Sequence, residues 1–281
     1  MNIVDLHVHS TVSDGTMTPK QVVHYAKEKG LRALALTDHD TIDGLEEAFM
    51  AGKTFSIEVI PGIELAAEYK DVELHILGYY VDLHDSAFLH QLDHWKKARE
   101  HRNEKMIVKL NQLGFPITLK DLKNLSKGNV ITRAHYGKWF LQNGYVKSIS
   151  EAFQKYIGAD CPGYVRRQLP TPKECISMIK EGKGIPVLAH PFLYSFSDQE
   201  LSAVLKQLKQ EGLRGIEVMH STHTLHQEKT LRHLAHHYGL LMTGGSDFHG
   251  TNKPDIDIGV GKGNLQIPYK MVESLKKESS F

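Results

Sequence analysis

The 281-residue sequence has only two cysteines, Cys161 and Cys175. They are too few for a disulfide framework, and their spacing matches no thiolate metal site, so both read as reduced thiols. Neither sign of charge is in excess, with 34 Lys and Arg against 33 Asp and Glu. Binding to a polyanion through bulk charge is therefore excluded, no stable DNA complex is expected, and an anionic substrate must be held locally. Long apolar runs are also missing. None approaches the length of a membrane-spanning helix, and Asp5, His7 and His9 interrupt the opening stretch where a signal peptide would need continuous apolar residues. A cytoplasmic protein without membrane contact is expected. The chain shows no internal repeat and no low-complexity tract.

What the sequence does hold in quantity is histidine, 18 residues in all. Imidazole is the commonest metal ligand and an acid or base near neutral pH. His233, His236 and His237 read as the solvated face of a surface helix. His7 and His9 are different. Alternate residues of a strand point to one side, so these two can present their imidazoles to a single site. Asp247-Phe248-His249, near the other end, can join that site only if the fold brings the two ends of the chain together, as a barrel does.

Short apolar runs alternate with helical stretches from the start. Strands are predicted over 3–8, 33–37, 56–60, 74–80, 185–189, 215–219 and 240–243. The first helix is expected to open at Thr18-Pro19 and stop at Gly30, and the second to run over 41–52. This alternation predicts an α/β protein with a parallel sheet closed, or nearly closed, into a barrel. Residues 86–165 break the pattern with helices predicted over 86–113, 133–143 and 151–157. They read as a helical insertion between two barrel parts, 1–85 and 166–281. On the long helix Leu92, Trp95, Arg99, Arg102, Met106, Leu110 and Leu113 follow three- and four-residue steps, so two arginines interrupt an apolar seam. Their stems can pack while their heads seek water or carboxylates, or one of them, Arg102 included, can face a bound phosphate.

His39, His190 and Asp247 fall where strands end, which is where parallel α/β folds build their sites. With His7, His9, Asp14, Glu64, His75 and His249 they make a set of nitrogen and oxygen donors without thiolate. Such a set suits manganese, iron or zinc. It suffices for two ions, or three if carboxylates bridge, and multinuclear sites of this kind activate water, so hydrolysis is the natural reaction class. Asp5, Asp38 and Asp40 flank these positions and are candidates to orient the imidazoles, or else plain cap and turn aspartates.

Asp5-Leu6-His7-Val8-His9-Ser10 with Ser13-Asp14-Gly15, Thr37-Asp38-His39-Asp40, Gly62-Ile63-Glu64, Ala189-His190-Pro191 and Gly245-Ser246-Asp247-Phe248-His249-Gly250 resemble, in order, the motifs of the PHP (polymerase and histidinol phosphatase) family. The resemblance implies a distorted seven-stranded β/α barrel, related to the TIM barrel, with two or three divalent ions, manganese first and iron or zinc as alternatives. By motif position His7, His9, Glu64 and Asp247 resemble one site, Glu64, His75 and His190 a second, and Asp14, His39 and His249 a third.

Metal and water alone leave amide, ester and phosphoester hydrolysis open. In the insertion, Thr132-Arg133-Ala134-His135 opens a predicted helix whose free N–H groups suit an anion. Arg133 adds a planar fork for phosphate oxygens, and His135 can bond phosphate or protonate a leaving alkoxide. The insertion, the Arg-x-His and the later Gly-Ile-Glu-Val resemble stand-alone PHP phosphoesterases. That resemblance implies a small phosphorylated substrate: a nucleoside 3′,5′-bisphosphate losing its 3′-phosphate, or short RNA trimmed from its 5′ end, by attack of a metal-bound hydroxide. His220 and His223 follow a strand onto the same rim, as acid or base residues or as contacts to phosphate or ribose. Tyr164, Arg166 or Arg167 can stack on or pair with a nucleotide. Histidinol-phosphate phosphatase is the enzymatic alternative, and a metal-binding regulatory protein that keeps the fold without turnover is the non-enzymatic one.

Overall fold

A computed structural model of the protein describes residues 2–126 and 130–279. Its elements in chain order are β1 (Val4–Val8), α1 (Pro19–Glu28), β2 (Ala33–Leu36), α2 (Leu45–Phe55), β3 (Glu58–Tyr69), β4 (Val72–Tyr79), α3 (Ser86–Gln112), α4 (Leu119–Ser126), α5 (Arg133–Gln142) and α6 (Ile149–Ala152). A π-helical turn follows over Phe153–Ile157, then α7 (Pro172–Glu181), β5 (Ile185–Leu188), α8 (Asp198–Glu211), β6 (Gly215–His220), α9 (Leu225–Tyr238), β7 (Leu241–Gly245) and α10 (Lys270–Ser279). The first helix begins as its sequence predicts: Pro19 sits in the first turn, and Thr18 and Gln21 cap each other reciprocally.

The seven strands lie in one sheet in chain order. Its ends meet at the site end, where the Asp247 N–H donates to His7 O at 2.9 Å and the His9 N–H donates to Phe248 O at 3.0 Å. A β-carbon at Gly245 would stand 2.1 Å from the β-carbon of His7, so only glycine allows the two chain ends to close there. This is the juncture that the His7-x-His9 and Asp247-x-His249 pairs require.

One expectation fails. The sheet is not wholly parallel, because β4 runs antiparallel to both β3 and β5. The third strand continues well past the predicted 56–60 to Tyr69 and turns back through Lys70 and Asp71, whose φ angles are +49° and +57°. Positive φ at both central residues matches the twist of a two-residue hairpin. In this register Ala66 faces His75 and Glu64 faces Leu77, which makes Glu64 and His75 diagonal neighbours on one side of the sheet. The hairpin therefore puts two candidate ligands in mid-strand rather than at strand ends.

Helix α3 belongs to two cores. Phe88 and Leu92 pack into the barrel core, whereas Met106 and Leu110 pack with Leu122, Tyr136, Phe140 and Ile157 in a separate core of the insertion. Arg99, Arg102 and Asn103 are buried at the junction between the two. Leu113, expected to end the seam, is exposed. The predicted 151–157 helix is a short α6 followed by the π-helical turn, a distortion often found beside functional sites.

Candidate metal centre

All of the candidate ligands converge at the mouth of the barrel, with Glu64 at the middle. Its Oε1 lies 2.8 Å from His75 Nδ1 and 3.0 Å from His190 Nε2. Its Oε2 lies 3.3 Å from His7 Nε2, 3.2 Å from His9 Nε2 and 3.0 Å from His39 Nδ1. Asp14 lies 3.1 Å from His249, 3.8 Å from His39 and 3.9 Å from His9. Donor atoms come within mutual reach of one ion in four groupings: His7, His9 and Asp247; His9, Asp14, His39 and His249; His7, Glu64 and His190; and His39, Glu64 and His75. The structure thus adds His9 to the Asp14 group, leaves Glu64 out of the group of His7, His9 and Asp247, and splits the expected grouping of Glu64, His75 and His190.

The donor set fits divalent ions on physical grounds. His7 Nε2, both ring nitrogens of His9 and Glu64 Oε2 are buried with no hydrogen-bond partner among the described residues. Leaving such atoms unpaired costs about 1–3 kcal/mol each, and cations among them remove that cost. Asp40, His190 and Asp247, in the loops after β2, β5 and β7, have φ of +52°, +28° and +60°. Left-handed backbone at residues with side chains is unfavourable, and at these three positions it is held in loops that carry or adjoin candidate ligands.

Charge within the cluster is shared unevenly. Burial alone would raise Glu64, but the imidazoles of His39, His75 and His7 hold its carboxyl well below the usual range. Burial works against the charge on His9 and His75, yet the carboxylates around them raise these rings to about 9 and about 10. Burial dominates at His39 and His190, which fall to about 3 and about 4. In ion-free protein, despite burial, the carboxylates therefore favour the protonated form of His7, His9 and His75. Metal ligation needs neutral imidazole, so loading Mn²⁺ near pH 7 is expected to release protons, and its affinity to weaken as pH falls. Titration calorimetry in two buffers of different ionisation heat checks this. Equal apparent enthalpies in both would contradict it.

Of the two readings open for Asp5, Asp38 and Asp40, the orienting of imidazoles is not seen, and each carboxylate ties backbone or neighbouring side chains instead. Asp5 accepts from the N–H groups of Ser246 at 2.9 Å and Gly259 at 2.7 Å, tying the barrel seam. Asp38 accepts from Ser10 N–H and from the Ser10 and Ser13 hydroxyls, holding the loop after β1. Asp40 takes the guanidinium groups of Arg99 and Arg167 and so ties the insertion to the barrel. The carboxylate that orients an imidazole is Glu217, which sequence reasoning missed. It lies 3.0 Å from His7 Nδ1 and accepts the His190 N–H at 2.8 Å, so it directs His7 Nε2 to the cluster and supports the strained His190 backbone. Its signal was a carboxylate in mid-strand between buried apolar residues, where it must find a partner.

A cleft of about 290 Å³ over the cluster is lined by Asp14, His39, His75, His249, Arg133, Phe153 and Lys253. Arg133 lies 3.3 Å from Glu73, with its guanidinium 5.8 Å from the Phe153 ring centre and 5.5 Å from that of Tyr164. Beside the cleft, and sharing Arg99, Arg133 and Glu73 with it, is a cavity of about 60 Å³ lined also by Arg102, Tyr164, Arg166 and Arg167. Arg166 is spent on Glu68 and Asp71. Arg102 is 5 % exposed and makes no hydrogen bond among the described residues. Burial and the neighbouring Arg99 and Arg167 lower it to about 9.

The remaining histidines differ in their free nitrogen. His135 Nδ1 accepts the Thr132 N–H at 3.0 Å, which leaves its proton on Nε2. His220 Nδ1 lies 2.9 Å from the Thr222 hydroxyl and 3.3 Å from its N–H, and Nε2 lies 3.6 Å from Asp247. His223 donates from Nδ1 to Val218 O at 3.0 Å, so its buried Nε2 is a bare lone pair. Burial lowers His223 to about 4.

The PHP domain family matches residues 5–159. The chain belongs to the PHP family. A 5′-3′ exoribonuclease of Haemophilus influenzae is 34 % identical over 245 residues, covering 87 % of this chain and 89 % of its own. A 3′,5′-nucleoside bisphosphate phosphatase of Chromobacterium violaceum is 30 % identical, covering 91 % and 90 %. Among solved structures, a chain from Bifidobacterium adolescentis described as a metal-dependent phosphoesterase superposes with a TM-score of 0.88 at 30 % identity, over 98 % of this PHP chain and 96 % of its own. Among the described residues, no helix of this PHP protein is long and apolar enough to cross a membrane.

Proposed function

We propose that this enzyme, a metal-dependent phosphoric ester hydrolase, removes the 3′-phosphate of nucleoside 3′,5′-bisphosphates or trims short 5′-phosphorylated RNA. The observation that carries the reading is the pairing of two sites that share a rim: the Glu64-centred cluster, which would attract a phosphate through the cations it holds, and the arginine-lined cavity beside it. A substrate with two phosphates answers both. Two or three divalent ions, manganese first, would be held by His7, His9, Asp14, His39, Glu64, His75, His190, Asp247 and His249. When bound, such ions lower the pKa of water and balance charge on the phosphoryl oxygens.

The protein's own groups divide the remaining work. Arg102 and Arg133 hold the second phosphate, with Arg99 and Arg167 adding positive charge from their places on Asp40. His135 and His220 keep a proton on Nε2 and are the donors to the leaving alkoxide. His223, with Nε2 bare, is an acceptor for a ribose hydroxyl rather than an acid. Free thiols at Cys161 and Cys175 suit a reducing cytoplasm.

Histidinol phosphate would bring an amine in place of the second phosphate. The carboxylates that line the cavity are already engaged, Glu68 and Asp71 by Arg166 and Glu73 by Arg133. With Mn²⁺ present, adenosine 3′,5′-bisphosphate or 5′-phosphorylated RNA is expected to exceed histidinol phosphate and 5′-hydroxyl RNA by about a hundredfold in kcat/KM, the weight of charge-assisted contacts to one phosphate. Histidinol phosphate as the best substrate of this panel would overturn the reading.

A further inference from the structure

Asp247 turns its two oxygens to different neighbours. Oδ1 lies 3.4 Å from His9 Nε2, 3.4 Å from His249 Nδ1 and 3.7 Å from His7 Nε2. Oδ2 accepts from Lys253 Nζ at 2.5 Å, with His220 Nε2 3.6 Å away. One oxygen therefore faces the imidazoles while an ammonium occupies the other. Lys253 follows the short turn Gly250–Asn252. Its side chain is 37 % exposed and lines the cleft above the cluster together with Asp14, His39, His75 and Arg133. An ammonium carries three N–H donors, and Asp247 is the one acceptor that the Lys253 ammonium has among the described residues. Two donors on a cation at the edge of the candidate metal centre are unspent.

We propose that Lys253 is a substrate-contacting residue: anchored on Asp247 Oδ2, it donates an unspent N–H to a non-bridging oxygen of the phosphoryl group being hydrolysed. The inference rests on the metal-centred phosphoester reading and gives that phosphoryl group a protein ligand besides the ions. A compact point charge suits one oxygen of a tetrahedral group, whereas the planar forks of Arg102 and Arg133 suit a whole phosphate. The two effects of the ammonium then have opposite signs. A cation bonded to a ligand carboxylate opposes an incoming divalent ion, and the same cation attracts phosphate. Removing it leaves the metal bound at least as tightly and the phosphate bound more weakly. A lysine that only braced Asp247 would do the reverse, since losing the brace would loosen the metal.

The test uses Lys253→Met and Lys253→Arg, each first checked for an unchanged unfolding midpoint. Chelator-treated protein is titrated with Mn²⁺ by calorimetry, and the Mn-loaded and Mn-free proteins are then each titrated with inorganic phosphate, so that the Mn-dependent binding at the centre is told apart from binding in the arginine-lined cavity. Lys253→Met is expected to bind Mn²⁺ no more weakly than the parent and inorganic phosphate about tenfold more weakly or worse, the weight of one charge-assisted hydrogen bond. Lys253→Arg should recover part of the loss. Phosphate binding unchanged in Lys253→Met overturns the proposal, and weakened Mn²⁺ binding alongside it would assign the lysine to bracing Asp247. Neither titration needs turnover, so failure of the parent protein to hydrolyse bisphosphates is a separate result about substrate.

Discussion

Glu64→Gln is expected to lower turnover by about a thousandfold or more, on the scale of losing a principal source of charge stabilisation in an active site, and to reduce bound manganese by more than half. The carboxylate stands within 3.3 Å of His7, His9 and His39 through one oxygen and within 3.0 Å of His75 and His190 through the other. Glutamine keeps the volume and the carbonyl, so the β3–β4 hairpin should survive. It removes the negative charge that offsets the cations and replaces one acceptor by an amide that can only donate. Metal analysis of protein purified without chelator, together with steady-state kinetics and a thermal melt, reads all of this. A variant with its full metal complement and near-parental turnover would remove Glu64 from the centre of the mechanism. A variant that melts far below the parent would be uninformative on catalysis, and Glu64→Asp, which keeps the charge and shortens the reach, then separates charge from folding.

Much of this candidate centre was legible because its donor residues come as local pairs whose geometry follows from the strand repeat. His7 on β1 and His9 just past its end are two apart, and the seam that delivers Asp247 and His249 is marked by a glycine that nothing larger can replace. Strand β4 was legible over 74–80, but its antiparallel direction was not, for an equally local reason. Pro61-Gly62 looks like the end of a strand, and Lys70-Asp71 lacks the Asn or Gly that usually announces a hairpin with positive φ. Partners of long range were hidden for another reason. Asp5, Asp38 and Asp40 adjoin the ligands in sequence, but each spends its oxygens on backbone, hydroxyl or guanidinium groups. Glu217 reaches His7 from 210 positions away. Sequence proximity to a ligand therefore misled, whereas a charge stranded among apolar strand residues was the better indicator, because burial obliges it to be paired.

The same logic applied to Arg102 gives the last prediction. Its charge is buried, lies near Arg99 and Arg167, and has no anion of its own among the described residues, since those two share Asp40. A cation left in that condition destabilises the free protein until an anionic ligand completes it. Arg102→Met keeps the length and apolar stem while removing the charge, so it is expected to stabilise the protein by about 1–3 kcal/mol, the scale of relieving an uncompensated buried group. Activity should move the other way. For adenosine 3′,5′-bisphosphate, kcat/KM is expected to fall about a hundredfold, chiefly through KM, because contacts to a remote phosphate hold ground state and transition state alike. A nucleotide carrying only the 3′-phosphate should be almost indifferent to the change. Inorganic phosphate should raise the melting temperature of the parent and do so less in the variant, since a ligand stabilises only the state that binds it. Lower stability with unchanged kinetics would instead make Arg102 a structural cation at the joint between barrel and insertion, and would leave the arginine-lined cavity without a role in choosing the substrate.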